Sequence, residues 1–280
     1  MNKILICIAI IAAASILWSC QSSKKECTKP VYVTDDCGVV SRFNPEEKTV
    51  YLVFTAHYSE NDSGYFENFD GLVPVLNTLK EKGVKGSFFP TGVCFTVDRY
   101  QEPIKRIINE GHYLSSHSFA HLNLVDEKDS TLISADSIRA DFARMEQELE
   151  RFGLTKEQYN WLIPPYEAYN QETANAMKEL GYRLLNPTPG LKTGMDWTSP
   201  GADNYHSTEM ILENLWKNEE ENTFNGQILL IHAMNYPDRT DEDRPYTYLG
   251  EIIDKLKEKG YSFKTLFDVI EAEKAANAEN

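Results

Sequence analysis

Two histidines four residues apart close the segment His117-Ser118-Phe119-Ala120-His121, which follows an apolar run. Far downstream, Ile231-His232-Ala233 ends another apolar run. Imidazoles at the first spacing can both turn toward one divalent metal, since neutral imidazole nitrogen is a good ligand. A histidine at a strand end, such as His232, is well placed to shuttle a proton.

Such residues need elements to position them. Short apolar runs at 50–54, 84–89, 112–116, 161–163, 182–186, 228–231 and 261–263 read as buried strands, most of them continuously apolar rather than alternating. Helix candidates lie between them at 72–82, 100–110, 134–152, 171–180, 208–218 and 246–259. Gly83, Gly111, Gly153, Gly181 and Gly260 stand where helices end, as expected of a residue that accepts positive φ. Seven strands alternating with helices, without a linker-like break, point to one parallel α/β domain, barrel-like, with a doubly wound open sheet as the competing architecture. In either, ligands gather at the carboxyl ends of the strands. His57, His117, Pro165-Tyr166-Glu167, Asp196 and His232 all fall there.

Composition narrows the partners. The 280 residues carry 28 Lys and Arg against 43 Asp and Glu, a formal net charge of −15, and the basic residues do not cluster. Nucleic acid is therefore excluded as an expected partner, because phosphate contacts rest on Lys and Arg. The first twenty residues are a targeting segment: Lys3, an apolar stretch over 4–17, then Trp18-Ser19-Cys20. Leu17-Trp18-Ser19-Cys20 resembles a lipobox, so cleavage before Cys20 and a lipid anchor at the membrane are expected; a plain signal peptide or an uncleaved anchor helix is the alternative. Residues 21–45 read as a polar tether, with Cys27 and Cys37 close enough in sequence for a small disulfide loop, and 273–280 as a polar tail. Cys94 follows a strand-like run and reads as a buried small hydrophobe.

Over roughly 50–266 the chain resembles the polysaccharide deacetylase family, also called the NodB-homology or carbohydrate esterase family 4 domain. The matching pieces are Gly-Val-Lys-Gly-Ser-Phe-Phe at 83–89, Gly111-His112 before the His117 to His121 segment (similar to H-[ST]-x-x-H), Pro164-Pro165-Tyr166 (similar to R-x-P-Y), Asp196-Trp197, and Leu230-Ile231-His232 (similar to L-x-H). The resemblance implies a distorted (β/α)7 barrel in a single domain over 46–272. It also implies a divalent metal and hydrolysis of N-acetyl or O-acetyl groups on sugars; taken with the Cys20 anchor, the expected location is the bacterial cell envelope.

The chain departs from the pattern at three positions. Where the family's first strand ends in T-F-D-D, this one reads Val53-Phe54-Thr55-Ala56, so the base aspartate becomes Thr55 and the metal-ligand aspartate Ala56. The arginine that orients that base becomes Ile163, a coherent loss, since a cation left in a closed site without its partner is costly. His57 could join His117 and His121 in a three-histidine site for zinc, cobalt, nickel or iron. Glu60 and Asp62 are further ligand candidates in a loop whose acids could equally be solvated. Glu167 is the candidate replacement base. The resemblance assigns leaving-group protonation to His232 held by Asp196, and oxyanion stabilisation to the Tyr166 N–H. Residues 186–190, Tyr205 and His206 read as a substrate-facing rim, and Tyr58, Tyr65, Tyr166, Tyr169, Trp197 and Tyr236 as rings able to stack on sugars or to fill core. The expected function is a lipid-anchored, metal-dependent carbohydrate deacetylase. Its rivals are a glycan-binding pseudoenzyme on the same fold and a hydrolase of changed bond specificity.

Overall fold

A computed structural model describes residues 30–60, 66–236 and 238–278. Cys20, Cys27, Asp62 and Tyr65 lie outside them, so the lipid anchor, the disulfide loop and one candidate ligand fall outside the described structure.

The chain enters through an antiparallel pair, β1 (Val33–Thr34) and β2 (Val40–Arg42). Next come β3 (Thr49–Ala56), a hairpin of β4 (Ser59–Glu60) and β5 (Phe66–Glu67), and α1 (Leu72–Lys82). The order continues β6 (Ser87–Pro90), α2 (Gly92–Phe95), α3 (Gln101–Asn109), β7 (Tyr113–Leu114), α4 (Ala135–Arg151), β8 (Trp161–Leu162), α5 (Gln171–Glu179) and β9 (Arg183–Leu184). Then follow α6 (Thr208–Asn222), β10 (Ile228–His232), α7 (Leu249–Glu258), β11 (Ser262–Lys264) and α8 (Leu266–Ala278). Each strand expected from the apolar runs is present, several trimmed to two residues.

β10, β3, β6 and β7 pair in parallel in that order, with β11 beside the first half of β3. A parallel bridge from Ser116 to Leu162 hands the sheet to β8, which pairs with β9. Bridges Val40–Leu185 and Arg42–Gln227 insert β2 between β9 and the start of β10. The ring thus closes as a distorted barrel rather than an open sheet. Its closing piece comes from residues expected as tether: Val39, Val40 and Phe43 are buried. The polar average of that stretch hides three apolar side chains that the ring's gap removes from water.

Alternation along β3 separates two cores. Tyr51 and Val53 point into the barrel with Phe43, Phe89, Tyr113, Trp161, Ile163, Leu185, Ile228 and Leu230. Val50, Leu52 and Phe54 face the helical layer. Leu266, Val269 and Ile270 of α8 join the inner core. That helix also runs through residues expected as a polar tail, and Glu273 on it accepts hydrogen bonds from Tyr32 Oη and Arg183. The glycine at position 86 is steric: a Cβ there would lie 2.6 Å from the Phe54 ring.

Candidate active site

The His117 to His121 turn follows β7 and is built against α2 and α4. Ser118 and His121 adopt left-handed backbone, with φ of 65° and 54°, a conformation that costs non-glycine residues about 1–3 kcal/mol. Asp141 of α4 offsets this by accepting the Phe119 and Ala120 amides at 2.7 and 3.0 Å. Burial pushes the Asp141 carboxyl up, and the two amides work against that rise. Gly92 is required on the other side, since a Cβ there would lie 2.2 Å from the Phe119 ring. Sequence reasoning missed Asp141, although an acid within the buried stripe of Ile138, Phe142 and Met145 was a signal.

His117 is 2% exposed, and its Nδ1–H donates to the Ile163 carbonyl at 2.8 Å, which leaves the Nε2 lone pair free. Burial lowers its pKa to about 3, and burial likewise holds His121 well below its ordinary value. Burial lowers His57 too, with Glu67 opposing. His57 Nδ1 meets Thr91 Oγ1 at 2.9 Å, and its amide donates to Met234 Sδ at 3.1 Å. The rings of His57 and His121 stack at 4.7 Å, and those of His117 and His121 lie 5.0 Å apart. The three histidines therefore share one wall, each pushed toward its neutral form by burial. Among the described residues, however, no three His, Cys, Asp or Glu side chains are gathered closely enough to hold an ion.

Glu167 follows Pro165-Tyr166 in a single turn after β8 in which Tyr166 and Glu167 both have positive φ. Asn186, just past β9, donates to the Glu167 carbonyl at 3.1 Å and fixes the turn. The Glu167 carboxylate lies 3.7 Å from His117 Nε2. With His117 neutral this is no ion pair: two electron-rich groups face each other, and a proton or a cation between them fits that chemistry. Loss of water raises the Glu167 pKa, with His232 opposing.

Beside β3, β10 ends at His232 and a short helical turn, Met195–Trp197, brings up Asp196. Asp196 is 1% exposed and lies 2.6 Å from His232 Nδ1. Burial opposes charge on His232, but the attraction and hydrogen bond of Asp196, with help from Glu167, hold its pKa above the usual value. Tyr236 packs edge-on against that ring at 5.6 Å.

These walls enclose a cavity of about 370 Å³ at the carboxyl ends of the strands. His57, His117, His121, Tyr166, Glu167 and His232 line it, with Asp196 behind, so these seven expected residues meet there. Thr55 lines it too, its buried Oγ1 without a hydrogen-bond partner, beside Ala56. Glu67 is an addition that sequence reasoning did not supply. It enters from the β4–β5 hairpin, its carboxylate accepting from Ser59 Oγ at 3.0 Å. Trp197 and Tyr166, each about half exposed, form the rim. Tyr205 and His206, expected at the rim, do not line the cavity: Tyr205 Oη donates to Asp243, and buried Arg239 holds the His206 carbonyl. Cys94 is fully buried, its pKa pushed up to about 12 by burial.

The profile of one family, polysaccharide deacetylase, matches residues 43–185. The peptidoglycan-N-acetylmuramic acid deacetylase PdaA of Bacillus subtilis is 31% identical over 229 residues, covering 81% of this chain and 73% of that protein. A peptidoglycan-N-acetylglucosamine deacetylase of Bacillus cereus is 25% identical, covering 86% and 79%. Among solved structures, PdaA superimposes with a TM-score of 0.60 at 27% identity, covering 84% of this chain and 85% of that one. A carbohydrate esterase family 4 pseudoenzyme from Bacillus anthracis gives 0.61 at 20% identity, covering 82% and 68%.

Proposed function

Since the chain belongs to the polysaccharide deacetylase family, we propose that it is a metal-dependent hydrolase that removes acetyl groups from an envelope carbohydrate, with a base in a new place. The observation that carries this reading is the buried Asp196–His232 pair facing Glu167 across one cavity.

An acetyl group entering the cavity meets His232, which Asp196 holds protonated at Nε2 and aimed at the leaving nitrogen or oxygen. Glu167, its affinity for a proton raised by loss of water, accepts the proton of the attacking water. The Tyr166 N–H faces the oxyanion as it forms. A divalent metal would require His117, His121 and His57 to draw closer together than they stand here, and would then supply Lewis acidity at the acyl oxygen. His117 keeps its lone pair for this because its other nitrogen is committed to the Ile163 carbonyl.

Thr55 and Ala56 favour a second reading, a glycan-binding protein without turnover, because neither can accept a proton from water near neutral pH. Acetate release from a panel of N- and O-acetylated glycans, with metal content measured on the same samples, separates the two. Release that disappears in His232→Ala supports the hydrolase. Saturable glycan binding with no acetate released by the parent protein supports the second.

A further inference from the structure

The N-terminal chain joins the barrel on the face opposite the cavity. Tyr32 packs against Phe43 and Trp161, with ring centroids 5.7 and 6.1 Å apart, and its hydroxyl donates to Glu273 of α8. Arg183 lies over both the Tyr32 and Trp161 rings. Pro30 and Val31 line a groove with Glu47, Tyr51, Asp268 and Ala272. Trp161 and Arg183 begin β8 and β9, and Tyr51 lies in the first half of β3. The cavity lies at the other ends, where β3 finishes in Thr55 and Ala56 and β10 in His232.

Nine residues lie between Cys20 and Pro30, a span of ten backbone steps. Fully extended, they reach no further than ~36 Å. A domain of this size has a radius of gyration of ~18 Å, which for a sphere means a diameter of ~45 Å and a path of ~70 Å around the surface from one pole to the other. A tether rooted at one pole is therefore too short for the other pole to rest on the bilayer.

We propose that the anchor holds the cavity facing away from the membrane, so that the substrate is a glycan polymer lying beyond the bilayer surface and not a lipid-linked saccharide within it. This rests on lipidation at Cys20 and, for the substrate, on the deacetylase reading. The contacts of Tyr32 turn the barrel's base toward the lipid.

The test uses the full lipidated chain on vesicles with an energy-transfer acceptor on the headgroups. A fluorophore is placed at Glu47→Cys on the base or at Trp197→Cys on the rim, with Cys27 and Cys37 changed to Ser. Transfer should be several-fold stronger from position 47. Inserting thirty Gly and Ser residues after position 29 should erase that difference. In unlabelled protein the same insertion should raise acetate release from a vesicle-borne, lipid-linked N-acetylated saccharide at least tenfold relative to release from a soluble polymer. Equal transfer from the two positions at native length, in protein that floats with the vesicles, overturns the proposed orientation. Turnover of the lipid-linked saccharide at native length, as fast as that of the polymer, overturns the substrate assignment. Protein that does not float removes the anchor and the inference with it. Absence of acetate release from any substrate removes the deacetylase reading, while the orientation is still decided by the transfer.

Discussion

The two walls of the cavity are organised differently. On the β10 wall, His232 and Asp196 are buried and bonded to each other at 2.6 Å, with Tyr236 fixing the ring edge-on. On the β3 wall, the strand ends in a hydroxyl without a partner and a methyl group, the histidines stack, and a carboxylate enters from a hairpin. Register places the two walls side by side, with Thr55 opposite His232. The contrast shows that one side of a cavity can be tightly paired while the adjoining strand end presents only a hydroxyl and a methyl group. A buried pair resists piecemeal loss, because removing one partner leaves the other charged and unsatisfied.

The largest expected effects test that contrast at its chemical centre. His232→Ala and Asp196→Asn should each lower acetate release by about 10²- to 10⁴-fold, the usual worth of a general acid or base. Glu167→Gln should lower it by a similar factor while metal stays bound. Retention of near-full rate in Glu167→Gln would pass the base role to Glu67, the other carboxylate lining the cavity among the described residues. The rate profile of the parent should be bell-shaped. Its acid limb should lie above the ordinary glutamate value, since the Glu167 pKa is raised, and its alkaline limb above 6.5, since that of His232 is raised.

Metal content comes next. His117→Ala and His121→Ala should each abolish stoichiometric metal with the fold intact by circular dichroism, and His57→Ala should weaken binding. Full occupancy in either of the first two variants would remove that residue from the ligand set.

A smaller effect is expected on stability. His117 is held at about 3 in the folded protein against 6.5 for the free side chain. Between those values the unfolded chain binds a proton that the folded chain refuses, so metal-free protein should lose stability as pH falls below 6.5. The slope should approach about 1.4 kcal/mol per pH unit from this residue, with His121 acting in the same sense. His232 acts in the opposite sense: its contribution is present at low pH and fades as pH rises through its raised value. Urea melts of metal-free protein at pH 7 and pH 5 check the sum. The smallest effect belongs to the β3 wall, where Thr55→Val should leave stability unchanged or raise it by about 1 kcal/mol, because it removes a buried hydroxyl that has no partner. A loss of stability there would mean the hydroxyl is satisfied.

Much of this site could be seen in the sequence, for reasons that particular residues make plain. His117, His121, Asp196 and His232 stand directly after apolar runs, and parallel strands bring their carboxyl ends together whatever the loops do. Asp141 was overlooked because its partners are backbone amides of a turn about twenty residues earlier. Glu67 carried no local mark at all. Its place depends on a hairpin that pairs it with Ser59. Tyr205 and His206 were misplaced because an aromatic, turn-rich loop looks alike whether it faces a ligand or an internal arginine.

The sequence by itself determined the order of the seven strands read from apolar runs and of the six helices between them, since apolar periodicity and helix-ending glycines act within a few residues of themselves. It also determined which chemical groups stand at strand ends, including the absence of carboxylates at 55 and 56. Tertiary structure alone decided that β2 closes the ring, and that the Ile163 carbonyl, 46 residues from His117, selects which imidazole nitrogen faces the cavity. It alone decided that the chain's entry and the cavity lie on opposite faces. Each of these depends on hydrogen-bond partners far apart in the chain, and such partners become fixed only when packing closes the barrel.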